Sequence, residues 1–110
     1  METEVREEHG LAVAAFTGDI DFNSSPHARR VLLDLVEKKG DVVVDMSSVD
    51  YIDSSGVASL IEAYQSAKTS GARFGLVAVS GAALRVLQLA HLEKVFQIYD
   101  SVADAAARAS

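Results

Sequence analysis

The stretch Asp53-Ser54-Ser55-Gly56 places a carboxylate, two hydroxyls and a glycine in succession at the predicted start of a helix. Asp and Ser are favoured there because their side-chain oxygens accept from the free N–H groups of the first turn. Those donors, with the partial positive charge of the helix start, also favour an anion. The chemistry this allows is covalent: a phosphate on Ser54 or Ser55 would bring about −1.5 to −2 charges beside them. Asp53 would adjoin it, with Asp50, Asp21 and Asp19 as further carboxylates in the nearby loops. Their repulsion argues against a tight phosphate pocket and for a mark read by another protein. Taken alone, the stretch reads more simply as a well-capped helix.

The helix that must carry these residues runs over 54–70, with an apolar stripe of Val57, Leu60, Ile61 and Tyr64, and Gly71 stops it. Opposite the stripe, Ser55, Ser59, Glu62 and Ser66 recur at spacings of three and four and are expected to form one exposed face. Ser54, Gly56 and Ala58 add small residues to its first turn. Such a face, beside an exposed loop aromatic at Phe22, suits docking of another protein; a plain solvated face is the alternative.

The rest of the chain alternates between two periodicities. Thr3, Val5 and Glu7, then Leu11, Val13 and Ala15, alternate as an N-terminal β-hairpin with His9-Gly10 at its turn. The run GDIDFNSS reads as a loop. Ser25 before Pro26 is expected to cap a helix carrying Ala28, Val31, Leu32, Leu35 and Val36, which ends at Gly40. DVVVDM at 41–46 reads as a central strand buried on both faces, and 47–52 as a loop. ARFGLVAVS is a second buried strand. Ser80 caps a third helix with Ala83, Leu84, Leu87 and Ala90. VFQIY is a last short strand and SVADAAARAS a closing helix. The order β-β-α-β-α-β-α-β-α implies an α/β fold with right-handed crossovers and a mostly parallel sheet.

Composition excludes several functions. The 110 residues suit one domain, and 49% hydrophobic content supports a core without staples. There is no cysteine for disulfides, thiolate metal sites or a thiol nucleophile. A net charge of −6 repels phosphate backbones, and 6% aromatic residues offer few stacking platforms, so no nucleic-acid partner is expected. No apolar run approaches the ~20 residues of a membrane span, and METEVREEHG is too charged for a secretory signal; the expectation is a cytoplasmic protein without direct membrane insertion. There is no G-x-S-x-G elbow, P-loop or calcium-loop spacing. No motif links His9, His27 or His91 to the serines. A two-component receiver domain would need an acidic pair after its first strand and a lysine after its last, and VFQIYD offers no lysine. No enzyme activity, catalytic residue, cofactor or metal is expected.

The segment VVVDMSSVDYIDSSGVASLIEAYQSAKTSGARFGLVAVS resembles the core of the STAS domain, the family named for sulfate transporters and anti-sigma factor antagonists. FTGDIDFNSS resembles the family's upstream G-x-[LI]-D segment, and VLQLAHLEKVFQIYDSVADAAA its closing segment. Three matching segments in order cover nearly the whole chain and imply one STAS domain over 1–110, with a mostly parallel or mixed central sheet of about five strands, helices packed on it and an N-terminal hairpin. The resemblance further implies a non-enzymatic partner-switching regulator, an anti-sigma factor antagonist. Its partners would be a serine kinase of the histidine-kinase-like ATPase fold, often itself the anti-sigma factor, and a PP2C-type phosphatase. The unmodified antagonist binds the kinase; the phosphorylated one lets go. By position the phosphoacceptor is Ser54, with Asp21, Asp53, Ser55 and Gly56 around it. The partner would dock over Ser54, Ser55, Ala58, Ser59 and Glu62, with Phe22 and Asn23 at the rim. Where many antagonists have G-L-G, this chain has Gly56-Val57-Ala58, which bears on partner choice. The alternative within the fold is the STAS subunit of an ABC-type lipid transporter, bound to its ATPase.

Overall fold

A computed structural model describes residues 1–107. Among them the order is β1 (Glu2–Glu8), β2 (Leu11–Ile20), α1 (Ser25–Lys39), β3 (Val42–Ile52), α2 (Ser54–Ser70), β4 (Phe74–Val77), α3 (Gly81–Leu89), β5 (Gln97–Tyr99) and α4 (Val102–Ala107). The five strands form one sheet in the order β1-β2-β3-β4-β5. β1 and β2 are the antiparallel hairpin, and every later pair is parallel. The expected α/β sheet, with its N-terminal hairpin and central β3, is what the chain forms. The expected closing helix included residues 108–110, which lie outside the described residues.

Because the strands add in one direction, three right-handed crossovers put α1, α2 and α3 on the same face. There Ala14, Phe16, Val44, Met46 and Leu76 of the sheet meet Leu32, Leu60, Ala63 and Leu87 of the helices in one core. On the other face α4 covers a smaller cluster through Ala105, against Leu11, Val13, Val43 and Val77. The rest of that face is polar. Arg6 of β1 reaches across it to Asp45 of β3 at 3.1 Å.

Two strands are longer than their sequence pattern. The segment 47–52, expected as a loop, continues β3 to Ile52, and β2 runs on to Ile20 through the first three residues of the expected GDIDFNSS loop. The pairing of β2 with β3 shifts register between Ala15 and Thr17 and again between Gly18 and Asp19. These irregularities break the two-residue alternation, so Met46, Val49 and Ile52 are buried at intervals of three. The extension positions the site. Ile20 pairs with Ile52, so the turn after β2 and the start of α2 leave the sheet side by side.

Candidate functional site

Asp53 is the N-cap of α2. Its Oδ1 accepts from the N–H groups of Ser55 at 2.9 Å and Gly56 at 3.1 Å. Its Oδ2 accepts from the Phe22 N–H at 3.0 Å, and its own N–H donates to the Ile20 carbonyl at 3.2 Å. One carboxylate thus starts the helix and fastens the neighbouring turn to it. Gly56 makes the close approach possible. A Cβ there would lie 2.6 Å from the Ile20 carbonyl oxygen and 2.6 Å from Ile52 Cγ1. Both contacts are below any sustainable separation, so only glycine seats the first turn of α2 on the ends of β2 and β3.

Asp21 organises the turn. Its Oδ1 accepts from the N–H groups of Asn23 and Ser24, each at 3.0 Å, and its carbonyl from the Ser25 N–H at 2.7 Å. The bond from the Ser24 N–H leads the causes that hold the Asp21 carboxyl below its ordinary value, against an opposing contribution from desolvation. The expected cap of α1 is corrected here. Ser25 is already helical, and the N-cap is Ser24, whose side chain does not cap the helix. The Ser24 hydroxyl instead accepts from the Asp21 N–H and donates to the Asp19 carbonyl, both at 2.9 Å. Phe22 stands out from this braced turn at 77% exposure.

The two candidate serines face different surroundings. Ser54 is exposed, and its hydroxyl has no hydrogen-bond partner among the described residues. It opens onto a shallow groove between α2 and α3, walled by Val57, Ala58, Ile61, Val86, Leu89 and Ala90. No charged side chain lines this groove, and Leu89 is 78% exposed beside it. Ser55 is half-buried and lines a second groove, between α2 and α1, with Ser25, Arg29, Arg30 and Glu62.

The expected open face of Ser55, Ser59, Glu62 and Ser66 is corrected at Ser59, where α1 packs on it; Glu62 stays exposed, and Ser55 and Ser66 are half-buried. Ser59 is buried, and its hydroxyl lies 3.1 Å from the carbonyls of both Ser25 and Ser55. Glu62 pairs with Arg29 of α1. The small residues let two helices approach closely, which is the reason for their low bulk. Ala58 stays exposed at the ridge between the two grooves. The α3 wall of the Ser54 groove was not among the predicted site residues. Its sequence signal is Leu89, a large apolar residue outside the Ala83, Leu84, Leu87, Ala90 stripe.

The family model of the STAS domain matches residues 2–105. The chain is 21% identical over 107 residues to an anti-sigma F factor antagonist of Paenibacillus polymyxa, covering 96% of this chain and 92% of that one. It superposes on the crystal structure of an anti-sigma factor antagonist from Mycobacterium paratuberculosis with a TM-score of 0.83 and 28% identity, covering 98% and 92% of the two chains. It also shares its fold with the phosphorylated form of the Bacillus cell fate determinant SpoIIAA, at a TM-score of 0.75 and 15% identity over 99% of this chain and 100% of that one.

Proposed function

The chain belongs to the STAS domain family, and on that premise we propose that it is an anti-sigma factor antagonist switched by phosphorylation of Ser54. The observation that carries the reading is the state of that hydroxyl: exposed, unpartnered, on the first residue of α2 and beside a groove without charge. Similarity to named antagonists supports it, as does a neighbour of the same fold, SpoIIAA, known in a phosphorylated form.

The proposed partner is an anti-sigma factor that is also a serine kinase of the histidine-kinase-like ATPase fold. Ser54 Oγ attacks the γ-phosphorus of ATP, the new O–P bond forms as ADP leaves, and the hydroxyl proton passes to a base supplied by the kinase. A PP2C-type phosphatase hydrolyses the phosphoester and restores the hydroxyl. In this reading the chain is a substrate and not a catalyst, and residues 1–110 act as one unit. Its setting is the cytoplasm, where such partners work; no helix among the described residues is long and apolar enough to cross a membrane.

The contact surface proposed is narrower than the sequence suggests: Ser54, Ala58 and the rim of Phe22 and Asn23, continued by Leu89 of α3. Asp21 and Asp53 hold this rim in place through the bonds to Asn23, Ser24 and Phe22. Phosphorylation adds two charges to a groove that has no cation to receive them, next to the Asp53 carboxylate. Shifting a complex from 99% bound to 99% free takes about 5.5 kcal/mol. A buried and uncompensated charge costs about 3–5 kcal/mol, enough to supply most of that shift. Phosphate mapping by mass spectrometry on the chain isolated from its native cells tests the assignment. The phosphate is expected on Ser54 and absent from Ser54→Ala; a phosphate carried only by Ser55 would refute it.

A further inference from the structure

A cleft of about 470 Å³ opens at the opposite end of the sheet from Ser54, where β3, β4 and β5 begin. Its size falls within the ~300–1,000 Å³ of typical ligand cavities. The local fold explains it. Phe74 of β4 pairs with Val42 of β3, but β5 begins only opposite Gly75, so the last rung of the sheet lacks its outer strand. Gly75 has no Cβ, and the Tyr99 ring lies across it, with Cε2 3.0 Å from where a Cβ would be. The walls are apolar: Leu11, Val42, Val43 and Phe74 contribute.

Several polar side chains line this cleft, and one of them is an unpaired cation. Asp41 is already occupied: it accepts from the Arg73 N–H at 2.9 Å and from its guanidinium at 3.1 Å. The Arg73 backbone bond leads the causes that hold the Asp41 carboxyl below its ordinary value, ahead of an opposing desolvation and the guanidinium. Lys68 has no such counterion. Lys68, Tyr64, Tyr99 and Gln97 all line the cleft, and their side-chain polar groups have no hydrogen-bond or ion-pair partner among the described residues. With Arg73 balanced by Asp41, the cleft carries one net positive charge in a protein of net charge −6. One unbalanced cation suits one carboxylate and not the several charges of a polyphosphate.

We propose that this cleft is a binding site for a small carboxylate carrying an apolar body, with the carboxylate on Lys68 and the body against Phe74 and its apolar neighbours. The site is independent of the Ser54 switch. Aliphatic and aromatic acids share this chemistry, so the test uses both decanoate, below its micellar range, and phenylacetate. Each is titrated into the full chain while backbone amide shifts are followed by NMR. Saturable shifts centred on Lys68, Gly75 and Gln97 with either acid are expected, and the tighter one identifies the body. Lys68→Gln, at an exposed position, weakens binding about tenfold, and decanol loses a similar factor against decanoate. Arg30→Gln, in the Ser55 groove at the other end of the sheet, leaves the affinity unchanged. The proposal is overturned by decanol binding as well as decanoate, by full affinity in Lys68→Gln, by shifts centred on the Ser54 groove, or by no saturable shift with either acid.

Discussion

Replacing Gly56 with alanine tests how the start of α2 is seated. The added Cβ would meet the Ile20 carbonyl oxygen at 2.6 Å, Ile52 Cγ1 at 2.6 Å and Ile20 Cγ2 at 2.9 Å. The oxygen cannot retreat cheaply, because it belongs to the sheet backbone and accepts from the Asp53 N–H. Overpacking of this kind costs about 1–3 kcal/mol, and a backbone obstacle places the cost near the upper end. The helix-propensity gain of Ala over Gly returns at most about 1 kcal/mol. The net loss is therefore about 2 kcal/mol, or a fall in Tm of about 8–10 °C for a domain of this size. Urea denaturation and thermal unfolding followed by circular dichroism measure it. Gly81→Ala is the control: a Cβ there meets nothing within 4 Å, and its stability is expected to equal or slightly exceed wild type. A Gly56→Ala protein as stable as wild type would refute the close-approach argument.

Asp53→Ala is expected to cost about 1–2 kcal/mol through loss of the helix cap, whereas Asp53→Asn keeps the cap; amide exchange at Phe22 rises in both, because neither retains the full carboxylate that accepts this N–H. Ser59→Ala should lower stability by about 1 kcal/mol and leave partner affinity unchanged in a titration calorimetry experiment; weakened binding at unaltered stability would return Ser59 to the docking surface. Asp45 is held below its ordinary value because, although burial pushes its carboxyl up, bonds from Ser47 and Arg6 outweigh that effect. Its contribution is therefore fully present above the unfolded value of about 3.9 and is lost as pH falls through the lower folded value. Denaturation at a series of pH values should show Asp45→Asn less stable than wild type at pH 7, with the gap closing below about pH 4.

Much of this architecture was legible from local chemistry. Gly40, Gly71 and Ser80 end or begin helices where their types require, and the β-branched run at 42–44 forms the middle of the sheet. The misread segments are those where tertiary pairing overrides local pattern. Residues 47–52 look like a loop because register shifts against β2 replace a period of two with a period of three. Ser25 looks like a cap, but the adjacent Ser24 hydroxyl is drawn into the braced turn by Asp19 and Asp21. The Ser55–Ser59–Glu62 face looks solvated because small polar residues mark close helix packing as well as exposure.

The central claim is that one phosphate on Ser54 separates the chain from its partner. The most direct measurement captures partners with the tagged chain from native cells, with and without ATP, and repeats the capture with Ser54→Ala and Ser54→Asp. The account predicts a kinase-fold partner held by the unmodified chain and by Ser54→Ala, released as wild-type Ser54 becomes phosphorylated, and not captured by Ser54→Asp. A transporter ATPase that stays bound while Ser54 remains bare, or a kinase that holds Ser54→Asp as tightly as wild type, would contradict it.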